Sequence, residues 1–171
     1  VVRRNFPAPF RLVRVKEIRQ IWKDFQIQLR LFIVDGSPFA QDKSLDHVEQ
    51  QELRAFKKVF INPEIISYNG LKESFNEGCL SIPDVREDVT RLSTIEIVYY
   101  NEQFEKVEEE ISGLAARIVQ HEFDHIEGIL FTDKLGPLKK KLLKPKLAQI
   151  SRGNIHPNYL MRYPSQISMR K

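Results

Sequence analysis

Gln120-His121-Glu122-Phe123-Asp124-His125 contains a His-Glu-x-x-His pattern, and it lies in a segment whose apolar residues recur at helical spacing. On a helix, residues four apart point the same way, so both imidazoles can reach one metal ion with Glu122 beside it as a proton carrier. The chemistry implied is hydrolysis by a metal-activated water. Two histidines under-coordinate such an ion; a catalytic site takes three protein ligands and leaves one position open.

The third ligand has few candidates. A histidine six residues beyond His125 would complete one arrangement, but that position is Phe131. An acidic residue on a later helix would complete another, and nothing acidic follows Asp133. Cys79, the single cysteine, remains, in Glu77-Gly78-Cys79-Leu80-Ser81. A lone cysteine is most often a buried core residue. Beside an incomplete two-histidine site it is the soft ligand that fits, with Gly78 allowing the backbone a close approach. One thiolate and two imidazoles suit Fe(II), Zn(II), Co(II) or Ni(II) and disfavour Mg and Ca.

These residues need elements to hold them. Leu114 to Glu127 reads as the metal-binding helix, introduced by Ser112-Gly113 and stopped by Gly128. Val59 to Ile66, Thr94 to Tyr100 and Phe104 to Ile111 are rich in β-branched and aromatic residues and read as strands, the last two joined through Asn101-Glu102-Gln103. Upstream, Lys16 to Phe25 places Ile18, Ile21, Trp22 and Phe25 at helical spacing, and Leu29 to Val34 reads as a strand ended by Asp35-Gly36. Between 37 and 57 the chain is polar, with a short helix expected from Ser44. A last helix is expected from Gly136 to Ser151, interrupted or kinked at Pro145, followed by extended chain beyond Gly153. The expected fold is α+β: antiparallel sheets packed around a central metal-binding helix, with a C-terminal helix.

Composition bounds the rest. A chain of 171 residues with 42% hydrophobic content suits one globular core, so 1–171 is expected to be a single domain. No run approaches the ~18 apolar residues of a membrane span, and no apolar stretch of signal-peptide type follows Val1-Val2-Arg3-Arg4. With no second cysteine to pair with Cys79, a cytoplasmic protein is expected. Charge is bipolar: ten of the 27 basic residues, and none of the 23 acidic ones, lie from Lys134 to the end.

Glu77-Gly78-Cys79-Leu80-Ser81 and Gln120-His121-Glu122-Phe123-Asp124-His125 resemble the second and third signature motifs of the peptide deformylase family, and the resemblance runs from Leu29 through Lys146. It implies removal of the N-terminal formyl group from the initiator methionine of newly made polypeptides, with release of formate. It also implies one divalent ion, Fe(II) in the cell, held by Cys79, His121 and His125, with Glu122 accepting and returning the proton. In the family, the backbone N–H of the residue after the cysteine, here Leu80, and a glutamine side chain stabilise the oxyanion. That glutamine closes a glycine-rich first motif, which this sequence lacks. Gln26 takes its place if preceding loop residues are missing, and Asp24 lies nearer to it when the strand is aligned without gaps. Glu77, Gly78, Arg86 and Ile118 are carried over as substrate-binding positions, Ile118 against the methionine side chain.

The resemblance further suggests docking on the ribosome, with Lys139, Lys140, Lys141, Lys144 and Lys146 contacting RNA phosphates. Two other functions compete with deformylation: a catalytically weak, metal-binding or ribosome-associated relative, and a general zinc endopeptidase.

Overall fold

The computed structural model describes residues 29–43 and 45–159. The expected opening helix with Ile18, Ile21, Trp22 and Phe25, the positions Asp24 and Gln26, Ser44 and the chain from 160 onward lie outside the described residues. The described elements are β1 (Leu31–Asp35), α1 (His47–Ala55), β2 (Lys57–Cys79), β3 (Ile82–Tyr100), β4 (Lys106–Ser112), α2 (Gly113–Ile126) and α3 (Pro137–Ser151), with short 3-10 turns at Phe39–Gln41 and Phe131–Lys134. The four strands form one sheet in the order β1-β2-β3-β4. This is the expected α+β architecture. The described residues divide into two compact units, one made of those up to Leu71 with Leu92–Glu127, the other of Lys72–Arg91 with those from Gly128 on.

In the first unit, period-two alternation makes the sheet one-sided. Phe32 and Val34 of β1, Phe60 of β2, Ile95, Ile97 and Tyr99 of β3 and Ile111 of β4 share one buried cluster with Ala116 and Val119 of α2. Antiparallel register sets Phe32 opposite Phe60 and Ile95 opposite Ile111. The Phe32 and Phe60 rings stack at 4.8 Å, and Tyr99 leans on Phe60 at 4.4 Å. Glu109, paired in register with Ile97, is half-buried, and its carboxylate is satisfied by the Lys58 ammonium and the Tyr99 hydroxyl at 2.6 Å. Burial, and then that bond to Glu109, push the Tyr99 hydroxyl far above its ordinary pKa, so it remains a proton donor.

Three expectations about element boundaries are corrected. The short helix starts at His47 rather than near Ser44, because Asp46 and Glu49 make a reciprocal capping box: Asp46 Oδ1 accepts from the Val48 and Glu49 N–H groups at 2.8 Å. β2 and β3 extend far beyond Val59 to Ile66 and Thr94 to Tyr100. The added part of β2 is mostly exposed and carries no apolar alternation, and its Asn69-Gly70 reads as a turn signal. Gly70 instead supplies a positive φ of 80° within the strand, at a point where a Cβ would stand 2.4 Å from the Ser93 hydroxyl.

The third concerns the second unit: of the expected interruption or kink at Pro145, the interruption is not found, and α3 continues through it as one helix, Pro137–Ser151. Proline removes one backbone bond, to the carbonyl of Lys141, but Pro145 is exposed. The apolar stripe of the helix, Leu143, Leu147 and Ile150, packs with Ile82, Val85, Val89, Phe131 and Leu135 and holds the turns on either side. Cys79 and Ile155 pack against the same cluster.

Candidate metal centre

The helix that carries the motif is fixed from three sides of its own unit. Ala116 and Val119 are buried in the core, with Phe123 and Ile126 packed against it. Gln120 is buried, and its Nε2 donates to the Leu92 carbonyl at 2.9 Å, which locks the rotation of α2 against β3. Arg30 forms an ion pair with Glu127 and lies over the Phe123 ring at 5.9 Å, tying down the last turn. Gly128, at φ 73°, follows the last residues of α2 in the left-handed conformation that ends a helix.

With the helix so held, His121 and His125 stand one turn apart, half-buried, their rings perpendicular with centroids 4.8 Å apart. Glu122 lies on the same turn and is also half-buried. Cys79 closes β2, and its half-buried thiol is free of any disulfide. The Cys79 sulfur and one ring nitrogen from each histidine lie within 4.8 Å of one another. These atoms form a candidate metal-binding group. One thiolate and two imidazoles are the donor set of a three-ligand catalytic site with an open position, so the residues present fit a divalent transition metal.

The segment around Cys79 is built by contacts the sequence did not disclose. Glu77 is buried and makes a two-pronged ion pair with buried Arg91, Nε to Oε1 at 2.7 Å and Nη2 to Oε2 at 2.9 Å. Removing one partner of such a pair strands a buried charge, at a cost of about 3–5 kcal/mol. Glu77, expected to bind substrate, thus has both carboxylate oxygens engaged by Arg91 next to the metal-ligand segment. The space opened by Gly78 is taken by the Arg86 side chain, whose Nη1 would lie 2.8 Å from a Cβ there. Arg86 itself is exposed and donates through Nε to Asn76 Oδ1 at 2.9 Å and through Nη2 to the Asn76 carbonyl. Leu80 is 47% exposed, in the Leu80–Ser81 turn between β2 and β3. Ile118, expected to face a substrate pocket, is partly buried and packs against the first core.

Sequence reasoning named neither Gln120 nor Arg91 as a positioning group. Gln120 could have been found, because it directly precedes His121 on the buried side of an amphipathic helix. Arg91 lies fourteen residues from Glu77, and no local pattern joins them.

Comparison with known proteins places these features in a family. The family model for polypeptide deformylases matches residues 25–141. A peptide deformylase of Christiangramia forsetii is 56% identical over 139 residues, which cover 81% of this chain and 71% of that protein. One of Flavobacterium johnsoniae is 49% identical over 137 residues, 80% of this chain and 70% of the relative. Among solved structures, a peptide deformylase of Plasmodium falciparum is similar with a TM-score of 0.59 and 29% identity, over 81% of this chain and 80% of that one. Peptide deformylase 1B of Arabidopsis thaliana gives 0.58 and 27%, over 72% of this chain; the match spans 62% of the plant chain.

Proposed function

This chain belongs to the polypeptide deformylase family, metal-dependent enzymes that hydrolyse the N-formyl group from nascent peptides, and we propose that it removes formyl from N-terminal formyl-methionine with Cys79, His121 and His125 as its metal ligands. The observation that carries this reading is the approach of those three ligand atoms to within 4.8 Å, on a framework that also presents Glu122. A bound divalent ion supplies Lewis acidity that makes water a usable nucleophile near neutral pH. Fe(II) is the ion we assign in the cell, with Zn(II), Ni(II) or Co(II) able to replace it in preparations.

Glu122 accepts a proton from the attacking water and delivers it to the amine as the C–N bond breaks, so the products are formate and a free methionyl N-terminus. The Leu80 N–H donates to the oxygen on which negative charge develops, and Gln26 is the side chain proposed to share that task. Gly78 and Arg86, backed by Glu77, shape the segment along which the peptide lies, and Ile118 borders the methionine side chain. The test is formate release from a formyl-Met peptide by Fe(II)- or Ni(II)-loaded protein, with the unblocked peptide in competition. Formate alone is expected. Cleavage of internal bonds in the unblocked peptide would make the protein an endopeptidase instead.

No helix among the described residues is long and apolar enough to cross a membrane. We place the enzyme in the cytoplasm with its nascent substrates, and α3 as its contact with ribosomal RNA. Of the five lysines considered, Lys139 is paired with Glu87 at 2.7 Å, and Lys146 donates to the Asp84 carbonyl. Lys140, Lys141 and Lys144 are exposed and have no ion-pair partner among the described residues. Converting these three to Glu is expected to abolish co-sedimentation with ribosomes at low salt while leaving peptide deformylation intact. Unchanged co-sedimentation would remove α3 from that role.

A further inference from the structure

Beyond α3, the chain returns to the metal-ligand segment. Arg152 caps the helix, Gly153 turns the backbone at φ 75°, and Ile155 packs against the second core. Four residues later the half-buried Tyr159 donates its hydroxyl proton to the Leu80 carbonyl at 2.6 Å. Leu80 and Ser81 form the two-residue turn between β2 and β3, and Leu80 is 47% exposed. A hairpin tip of this kind has few packing contacts of its own. Its orientation depends on what grips its polar backbone.

We infer that Tyr159 is a positioning residue for the deformylase reaction: its hydroxyl pins the Leu80 carbonyl and so fixes the peptide unit that presents the Leu80 N–H to the developing oxyanion. The bond restricts ψ of Leu80. With Cys79 held in the second core on one side and Ile82 buried on the other, the Cys79–Leu80 peptide plane then has little freedom left. A donor aimed in advance at the place where charge develops needs no reorganisation during the reaction, which is where such groups gain their effect. This role rests on the proposed use of the Leu80 N–H. The contact itself does not, and the two are separable by experiment.

Tyr159→Phe keeps the ring and deletes the donor. In the metal-loaded full chain, amide hydrogen exchange at residues 80–82 should quicken by about five-fold, the scale of one modest hydrogen bond, with exchange in α2 and the rest of β3 unchanged. kcat for a formyl-Met peptide should fall by a similar factor of about five with KM within about two-fold, and metal content should stay at the wild-type level. Tyr159→Leu should show the same kinetic pattern, since the hydroxyl rather than the ring carries the effect. Unchanged exchange at the turn would overturn the clamp. Faster exchange throughout the second core, or a rise in KM alone, would reduce Tyr159 to ordinary packing and likewise overturn the inference. Faster exchange confined to the turn, in a protein whose wild type releases no formate, would keep the clamp and remove the catalytic reading on which its purpose rests.

Discussion

Replacing Glu122 with Gln is expected to lower the rate of formate release by about 10²–10⁴-fold while the protein keeps its metal. That loss corresponds to roughly 3–5 kcal/mol of transition-state stabilisation. The substitution preserves size and helix propensity, so α2 and its two imidazoles stay where Gln120, Phe123 and the core hold them. It removes the one property the reaction requires of this side chain, the capacity to take a proton from water and give it to the leaving amine. Because the carboxylate acts on the reacting atoms and not on the resting peptide, kcat should carry the loss and KM should move little. Steady-state formate assays with metal analysis on the same samples would check this. A rate within ten-fold of wild type, with metal retained, would transfer the proton-moving role to another group.

Legibility in the sequence followed the range of the interaction. Elements defined by local periodicity were readable: the helix from Leu114 to Glu127 is found as Gly113–Ile126, and the strand from Leu29 to Val34 as Leu31–Asp35. The hairpin at Asn101 was readable because one side chain makes it, Asn101 Oδ1 accepting from the Gln103 and Glu105 N–H groups at 3.0 and 2.9 Å. The outer parts of β2 and β3 were not. Outer β2 is largely exposed and polar, so its strand character comes from pairing with β3; outer β3 buries Ile82, Val85, Val89 and Arg91, but the charged residues among them, Asp84, Arg86, Glu87 and Asp88, hide that pattern along the chain.

The same division applies to the candidate site. His121, Glu122 and His125 form a local motif, and Cys79 followed from ligand chemistry and from the lack of a better donor. The groups that orient them, Arg91 on Glu77, Gln120 on Leu92 and Tyr159 on Leu80, are fixed by separations of 14, 28 and 79 residues. No single-sequence pattern reports contacts of that range. Arg86 and Gly78 show the intermediate case. Gly78 was named from the motif and Arg86 from the family resemblance, yet the physical relation between them, a guanidinium lying in the space the glycine leaves, appears only in three dimensions.

Cys79→Ser separates a metal ligand from a core residue. The exchange is nearly isosteric, and the second core that Cys79 packs against is apolar, so as a packing change it should cost only about 1 kcal/mol. As a ligand change it replaces a thiolate, which binds divalent transition metals tightly, with a hydroxyl that stays protonated near neutral pH and binds them poorly. Metal affinity should therefore fall by about 10²-fold or more, a larger effect than loss of a supporting group around a metal site. Deformylation should fall with it, since two imidazoles alone neither hold the ion nor set its open position. Circular dichroism should report the helices and sheet intact, because the two cores do not depend on the sulfur. Wild-type metal content in the variant would remove Cys79 from the ligand set and leave His121 and His125 in need of another partner. Loss of metal together with loss of fold would instead mean that the ion supports the architecture, and affinity would then have to be measured on a Cys79→Asp chain, where a carboxylate keeps a charged ligand in the same place.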